Sequence, residues 1–353
     1  MWEENWSSKI NNKNIFYYTI QIQMWQDCNL NCTHCWRDAE NWLIKLDSDK
    51  IINNLSEFFM FLKNKHKDKE VKIMINLTWG EIFMYFDKIK TFFKLIEKYN
   101  FVELNLFTNW TLFTKVHLDF LEKYKEKITI QISIDWFKNT HDKIRWKWNF
   151  KKSIDNVIKI WEMWFKVRVQ AVITQENINE IAWLSVFFCE LPVKYISFRK
   201  VLWSGRAKNI DWIWNEENKY RDEFYSTITK IHKFVLSKWK ILSLWCDIAA
   251  ITKKYDNFKN ITWGCWVITN NVLWIEPDWN ILLCSRLPIQ IWNIYNDKLT
   301  DIYSKYSTEV SKNFKLWENC KKCSELNTCK WWDLCDIYER YWDIKWHTSF
   351  LCK

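Results

Sequence analysis

This chain of 353 residues has almost no glycine: three, with only three prolines. Average usage of roughly 7% would supply about 25 glycines. Scarcity of both residues excludes a collagen-like protein, a Gly/Ser linker and a Pro-rich low-complexity segment. No uninterrupted apolar run approaches the roughly 20 residues of a membrane span. The polar opening "MWEENWSSKINNKN" also lacks the apolar core of a signal peptide. No membrane partner is expected, and the chain reads as cytoplasmic. In a reducing compartment, twelve cysteines argue against a disulfide scaffold and for metal or redox chemistry.

Tryptophan is in excess, at 28. The 28 Trp and 3 Gly together approach a normal glycine allotment plus a few genuine tryptophans. The positions agree. "EPDWN" at 276–280 reads as a turn before a strand, where Gly after Asp is the usual residue. "TNW" at 108–110 and "SIDW" at 133–136 follow apolar strands, where a turn with positive φ favours Gly. "RWKWNF" and "KWWDLC" become ordinary loops if Trp is read as Gly. The codon UGA is a stop in the standard code, Trp in some organisms and Gly in others. Translation with the wrong table produces this composition. On this reading Trp79, Trp110, Trp136, Trp146, Trp148, Trp279, Trp331 and Trp332 stand where the cell places glycine. The other reading is a genuinely Trp-rich protein.

The net charge is +10, which raises nucleic acid as a partner. The lysines, however, are scattered through amphipathic segments such as "KNKHKDKE" at 63–70, a solvated helix end. No RNA- or DNA-binding motif accompanies them, so nucleic acid is not the expected partner.

Strand-type apolar runs recur at 16–24, 71–77, 102–107, 128–134, 166–173 and 193–198. Helical patterns lie between most of them. The clearest is "DSDKIINNLSEFFMFLKNK", with Ile51, Ile52, Leu55, Phe58, Phe59 and Leu62 on one face and Ser48 or Asp49 as N-cap. Another helix is expected over 215–240. Six alternations of strand and helix give an α/β fold with a parallel sheet, wound as a partial (β/α)6 TIM-like barrel. After about 245 the chain turns to cysteine-rich loops, so the expected units are a barrel over 1–244 and a small cysteine-rich domain over 245–353.

Cys28, Cys32 and Cys35, in "CNLNCTHC", fall directly after the first strand. Barrel active sites sit in such loops. Three thiolates on a short loop suit one cubic iron–sulfur cluster with one iron left open. A zinc site would want a fourth ligand and paired C-x2-C spacing.

C-x3-C-x2-C after the first strand resembles the radical S-adenosylmethionine (SAM) enzymes, and other segments follow in the family's order. "LTWGEIF" at 77–83 resembles the Gly-Gly-Glu segment, with Trp79 in the first glycine's place. The resemblance implies that Gly80 and Glu81 meet the amino group of SAM. "FTNW" at 107–110 resembles the ribose-side segment, carrying Thr108 and Asn109. In "SIDWFKNTHDKIRWKWNF" the resemblance assigns Ser133 and Arg145 to the SAM carboxylate and Asp135 to support. A carboxylate wants Arg and an ammonium wants Glu, so the charges agree.

The tail carries Cys265, Cys284, Cys320, Cys323, Cys329, Cys335 and Cys352, with Cys265 and Cys284 bracketing a hairpin. The set resembles the SPASM domain, an extension of radical SAM enzymes holding one or two auxiliary [4Fe-4S] clusters. By resemblance Cys320, Cys323, Cys329 and Cys352 hold one cluster, and Cys265, Cys284 and Cys335 another, with Cys246 a candidate fourth ligand. The x5 gap from Cys329 to Cys335, where the family has x3, leaves the pairing open. Cys189 lies on an apolar stripe and reads as core. A structural zinc domain is the other reading of this tail.

The resemblance implies a [4Fe-4S] cluster on the first cysteine set, SAM as cofactor, a low-potential electron donor, and reductive cleavage of SAM to a 5′-deoxyadenosyl radical. It implies oxidative modification of a peptide or protein. The alternatives are a small-molecule or cofactor-biosynthetic radical SAM oxidoreductase, and a zinc-stabilised basic protein binding nucleic acid. No general base is legible in the sequence.

Overall fold

A computed structural model describes residues 14–37, 47–146, 148–174, 177–202, 204–209, 221–244, 270–285, 287–313 and 322. All six apolar runs form strands: β1 (Ile15–Gln23), β2 (Glu70–Thr78), β3 (Val102–Thr108), β4 (Ile128–Ser133), β5 (Lys166–Ile173) and β6 (Tyr195–Lys200). A seventh parallel strand, β7 (Ile241–Leu244), follows, and then β8 (Val272–Ile275), β9 (Asn280–Cys284) and β10 (Leu287–Asn293). They share one open sheet in the order β10-β9-β8-β1-β2-β3-β4-β5-β6-β7. β1 to β7 pair in parallel, β8 runs parallel to β1, and β9 and β10 turn antiparallel. The 272–284 hairpin thus continues the barrel sheet beyond β1.

Helices α1 (Ser48–Lys65), α2 (Phe86–Lys98), α3 (Lys115–Leu121), α4 (Lys138–Arg145), α5 (Asn149–Glu162), α6 (Ile181–Glu190) and α7 (Arg221–Ser237) connect the strands, and α8 (Leu299–Asn313) follows β10. In α1 the expected face is buried at Ile51, Leu55, Phe58, Phe59 and Leu62. Its cap is neither Ser48 nor Asp49 but Asp47, whose carboxylate accepts from Asp49 N and Lys50 N at 3.1 and 3.3 Å. The pleat sends Tyr18, Ile20 and Ile22 of β1 into this helical layer, where Tyr18 meets Phe58 edge-on at 5.4 Å. Cys189 is buried on α6, as its pattern implies.

The backbone speaks directly to the tryptophans. Fourteen lie within the described residues, and seven have positive φ: Trp79, Trp110, Trp146, Trp148, Trp164, Trp239 and Trp279. Among the described residues the only other non-glycine residue there is Asn270. A Cβ crowds the backbone in this region, which is why glycine owns it. Five of the seven are positions the sequence marks for glycine, and Trp164 and Trp239 are new. Trp136 is a correction: its φ is not positive, and its buried indole N–H donates to Glu180. Trp331 and Trp332 lie outside the described residues.

Candidate active site

The cysteine loop leaves β1 at Met24 and is tied to one strand end after another. Met24 N donates to Thr78 O at 3.2 Å and Glu81 N to Asp27 O at 2.9 Å. These two bonds bind the loop to the end of β2. Gly80 (φ +55) lies under the second of them, and a Cβ built there would fall 1.9 Å from Asp27 O. Only glycine lets the backbones approach so closely. Tyr85 OH donates to Asp27 Oδ2 at 2.5 Å. Beyond β3, Asn29 Nδ2 donates to Thr111 Oγ1 at 2.7 Å, and Asn109 Nδ2 to Asn29 Oδ1 at 3.0 Å. On the far side, Arg206 N donates to Cys35 O and Arg206 Nε to Cys32 O, both at 2.9 Å.

Cys28, Cys32 and Cys35 are thiols, with no disulfide between them. Asn109 Nδ2 approaches Cys28 Sγ at 3.7 Å. Burial, with the charge of Glu81 nearby, pushes Cys28 up to about 12. Burial pushes Cys32 up to about 11, against the pull of Arg145. Bound iron reverses this, because a coordinating thiol is deprotonated outright. A cubane takes one thiolate on each of three irons, and three thiols on one short loop are a donor set that fits it.

The residues assigned to SAM form two groups. Glu81 is fully buried and accepts from Phe83 N at 3.1 Å, Thr108 Oγ1 at 2.6 Å and Asn109 N at 2.7 Å. It thereby braces the end of β2 against the end of β3. Burial outweighs these donors and pushes its carboxyl up to about 7. In the second group, Asp135 is fully buried and takes Arg145 Nε, His34 Nε2 at 2.8 Å and Val172 N at 2.9 Å. Burial alone would raise its carboxyl, but Arg145 and His34 hold it well below the usual carboxylate range. Ser133, at the end of β4, offers a hydroxyl with no partner among the described residues. These groups fit SAM in charge and donor type, with the Arg145 guanidinium tied to Asp135, two residues beyond Ser133.

Sequence reasoning missed three residues here. His34 is buried inside the cysteine motif with Nδ1 unpartnered. Arg206 follows Gly205, one of the chain's three glycines, at φ +56, and that scarcity was the available signal. Glu276, at the end of β8, accepts from Arg37 Nη2 and Gln23 Nε2, both at 2.5 Å, and so joins the hairpin to the cysteine loop. Nothing in a single sequence pairs positions so far apart. Cys284 is half-buried at the end of β9, on the bracketing hairpin that the sequence implies. Cys246, Cys265, Cys320, Cys323, Cys329, Cys335 and Cys352 lie outside the described residues.

Residues 22–183, which carry this loop and both groups, match the radical SAM superfamily. That segment, a little under half of the chain, is what resembles the radical SAM family. Among relatives, it is 24% identical over 297 residues to the antilisterial bacteriocin subtilosin biosynthesis protein AlbA of Bacillus subtilis (strain 168), covering 82% of this chain and 59% of that one. The chain thus spans a little under three-fifths of AlbA's length. It is 22% identical over 341 residues to a cysteine-type anaerobic sulfatase-maturating enzyme of Clostridium perfringens (strain ATCC 13124), covering 86% and 85%. The crystal structure of Streptococcus suis SuiB bound to S-adenosylmethionine superposes with a TM-score of 0.69 at 17% identity, covering 98% of this chain and 80% of that one. That likeness shows a shared fold, a mostly parallel α/β sheet that is left open here. Among the described residues no helix is long and apolar enough to cross a membrane.

Proposed function

We propose that this chain is a radical SAM maturase that oxidatively modifies a peptide or protein. The observation that carries this is the cysteine loop: three unpaired thiols pinned by hydrogen bonds to the ends of β2, β3 and β6 and by ion pairs to β4 and β8. Cys28, Cys32 and Cys35 would hold a [4Fe-4S] cluster with one open iron, and Gly80, Thr108, Asn109, Ser133 and Arg145 would hold SAM there. When bound, cluster and SAM supply a 5′-deoxyadenosyl radical able to abstract hydrogen from an unactivated carbon. Asp135 orients Arg145 and His34, fixing a cation where the carboxylate of SAM is to lie. Gly80 and Glu81 would meet the amino group of SAM, and Glu81, accepting from Thr108 Oγ1 and Asn109 N, also ties the end of β2 to that of β3. The barrel side chains shield the reacting atoms from water.

The relatives' names, which include a bacteriocin biosynthesis protein and a sulfatase-maturating enzyme, support this substrate class. The tail cysteines Cys265, Cys284 and Cys335, and Cys320, Cys323, Cys329 and Cys352, would hold one or two auxiliary [4Fe-4S] clusters, in a unit over 245–353. Such centres favour a net oxidation, and a low-potential donor would feed the system. The test is anaerobic reconstitution with iron and sulfide, then SAM, reductant and candidate peptides encoded beside the gene. The expected outcome is 5′-deoxyadenosine with a peptide product lighter by two hydrogens. Full zinc occupancy without iron uptake would replace this reading with the zinc-stabilised alternative.

A further inference from the structure

The pleat that sends Ile20 and Ile22 outward turns Gln21 and Gln23 into the barrel lumen. Strand register carries this inner face to Asn76 of β2, Asn105 of β3, Gln131 of β4, Arg168 of β5 and Tyr195 of β6. On the β1 side the amides satisfy one another: Asn105 Nδ2 donates to Asn76 Oδ1 at 2.7 Å, and Asn76 Nδ2 to Gln21 Oε1 at 2.8 Å. On the β4–β5 side that chain stops. Gln131 (2% exposed) and Gln170 (7% exposed) each leave a buried amide oxygen without a partner. Arg168 leaves its Nε without one as well.

Arg168 is a cation without an anion. Its neighbour is the Tyr195 ring, 5.4 Å from the guanidinium carbon, and no carboxylate pairs with it among the described residues. Burial pushes its pKa down, with only Tyr195 acting against that. Other charges share this inner face. Lys72 pairs with Glu70 at 2.9 Å, and Lys166 donates to Glu126 O. Arg199 lies over the Phe107 ring at 5.6 Å, and the charge of Glu103 is felt at Tyr195. Desolvating a guanidinium is costly unless something charged meets it. Gln170 pairs in register with Ser133, and Arg168 sits one pleat below, about 6–7 Å at 3.3 Å per residue.

We propose that Arg168, flanked by Gln131 and Gln170, is an anion subsite that holds a carboxylate of the substrate within the lumen, one pleat below the cofactor face. The guanidinium fork matches a carboxylate bidentately, and the two amides can turn either donor or acceptor toward the adjoining peptide bond. The inference rests on the peptide reading above and narrows it to substrates with an acidic side chain or a free C-terminus near the modified residue.

Three short probes separate those sources: acetyl-Ala-Glu-Ala-amide, acetyl-Ala-Gln-Ala-amide and acetyl-Ala-Ala-Ala with a free carboxylate. Calorimetric titration of the reconstituted full chain with SAM present is expected to show at least tenfold tighter binding for one carboxylate probe than for the glutamine probe. The tighter of the two names the source. Arg168→Gln should abolish the preference and Arg168→Lys retain part of it, with iron content confirming an intact cysteine loop in each. Equal binding of all three probes, absence of binding at millimolar concentration, or a preference that survives in Arg168→Gln overturns the subsite. Parallel assay of 5′-deoxyadenosine separates the two failures, since its absence from the chain with glycine at 79, 110, 146, 148, 164, 239 and 279 strikes the maturase reading and leaves the binding comparison standing.

Discussion

Trp164 and Trp239 end α5 and α7 in the same way. Trp164 N donates to Trp161 O at 2.7 Å and Phe165 N to Ile160 O at 3.2 Å, and Trp239 N donates to Leu236 O at 3.0 Å and Lys240 N to Val235 O at 3.2 Å. This is the Schellman bond pair, whose left-handed residue is ordinarily glycine. Both indoles lie in solvent, 81% and 91% exposed, so packing returns nothing for the strain. Trp164→Gly and Trp239→Gly are each expected to stabilise the chain by about 1 kcal/mol in denaturant titration. Unchanged midpoints would show that the backbone tolerates an indole there. Trp110 carries a different cost, a buried indole N–H without a partner. Mass spectrometry of the native protein should read glycine at 79, 110, 146, 148, 164, 239 and 279. Trp110 and Trp279 were legible because Asn109 and Asp278 precede them, and Trp79 from its place in the Gly-Gly-Glu segment. Trp164 and Trp239 were not, because helix patterning surrounds them and a C-terminal cap leaves no apolar signal of its own. Trp136 misled for the opposite reason, since a strand end need not turn left-handed.

At the scale of elements, two buried ion-pair systems hold the cysteine loop. Asp135 joins α4, β5 and the loop through Arg145, Val172 and His34. Asp135→Asn leaves Arg145 buried without its counter-charge and is expected to cost about 3 kcal/mol at neutral pH. Because Asp135 is held below its ordinary value, its stabilisation is present above the unfolded aspartate range near 4. It fades as pH falls below that range, so the wild-type and Asp135→Asn stability curves should converge in acid. A constant gap across pH would contradict the assignment. At the other system, Glu276→Gln should loosen the hairpin from the loop, seen as faster amide exchange at residues 28–37 while β3 and β4 exchange as before. The six barrel strands were legible as apolar runs because each is buried and bounded by polar turns. The pairing of β8 with β1 was not, because edge pairing across some 250 residues has no local signature.

For the molecule as a whole, the open sheet brings Gly80, Glu81, Thr108, Asn109, Ser133 and Asp135 to one rim, at the C-terminal ends of β2 to β4, and Arg145 of α4 is tied to that rim through Asp135. Replacing any one of Cys28, Cys32 or Cys35 with Ser should remove about four irons per chain from the reconstituted total and abolish SAM cleavage. Loss of zinc instead would contradict the cluster assignment. The most direct measurement compares two reconstituted chains under anaerobic conditions: the sequence with its tryptophans, and one with glycine at 79, 110, 146, 148, 164, 239 and 279. Each receives SAM and a strong reductant, and 5′-deoxyadenosine is quantified. The account predicts its formation by the glycine chain, with little or none from the tryptophan chain. Full iron loading with no 5′-deoxyadenosine from the glycine chain would contradict it.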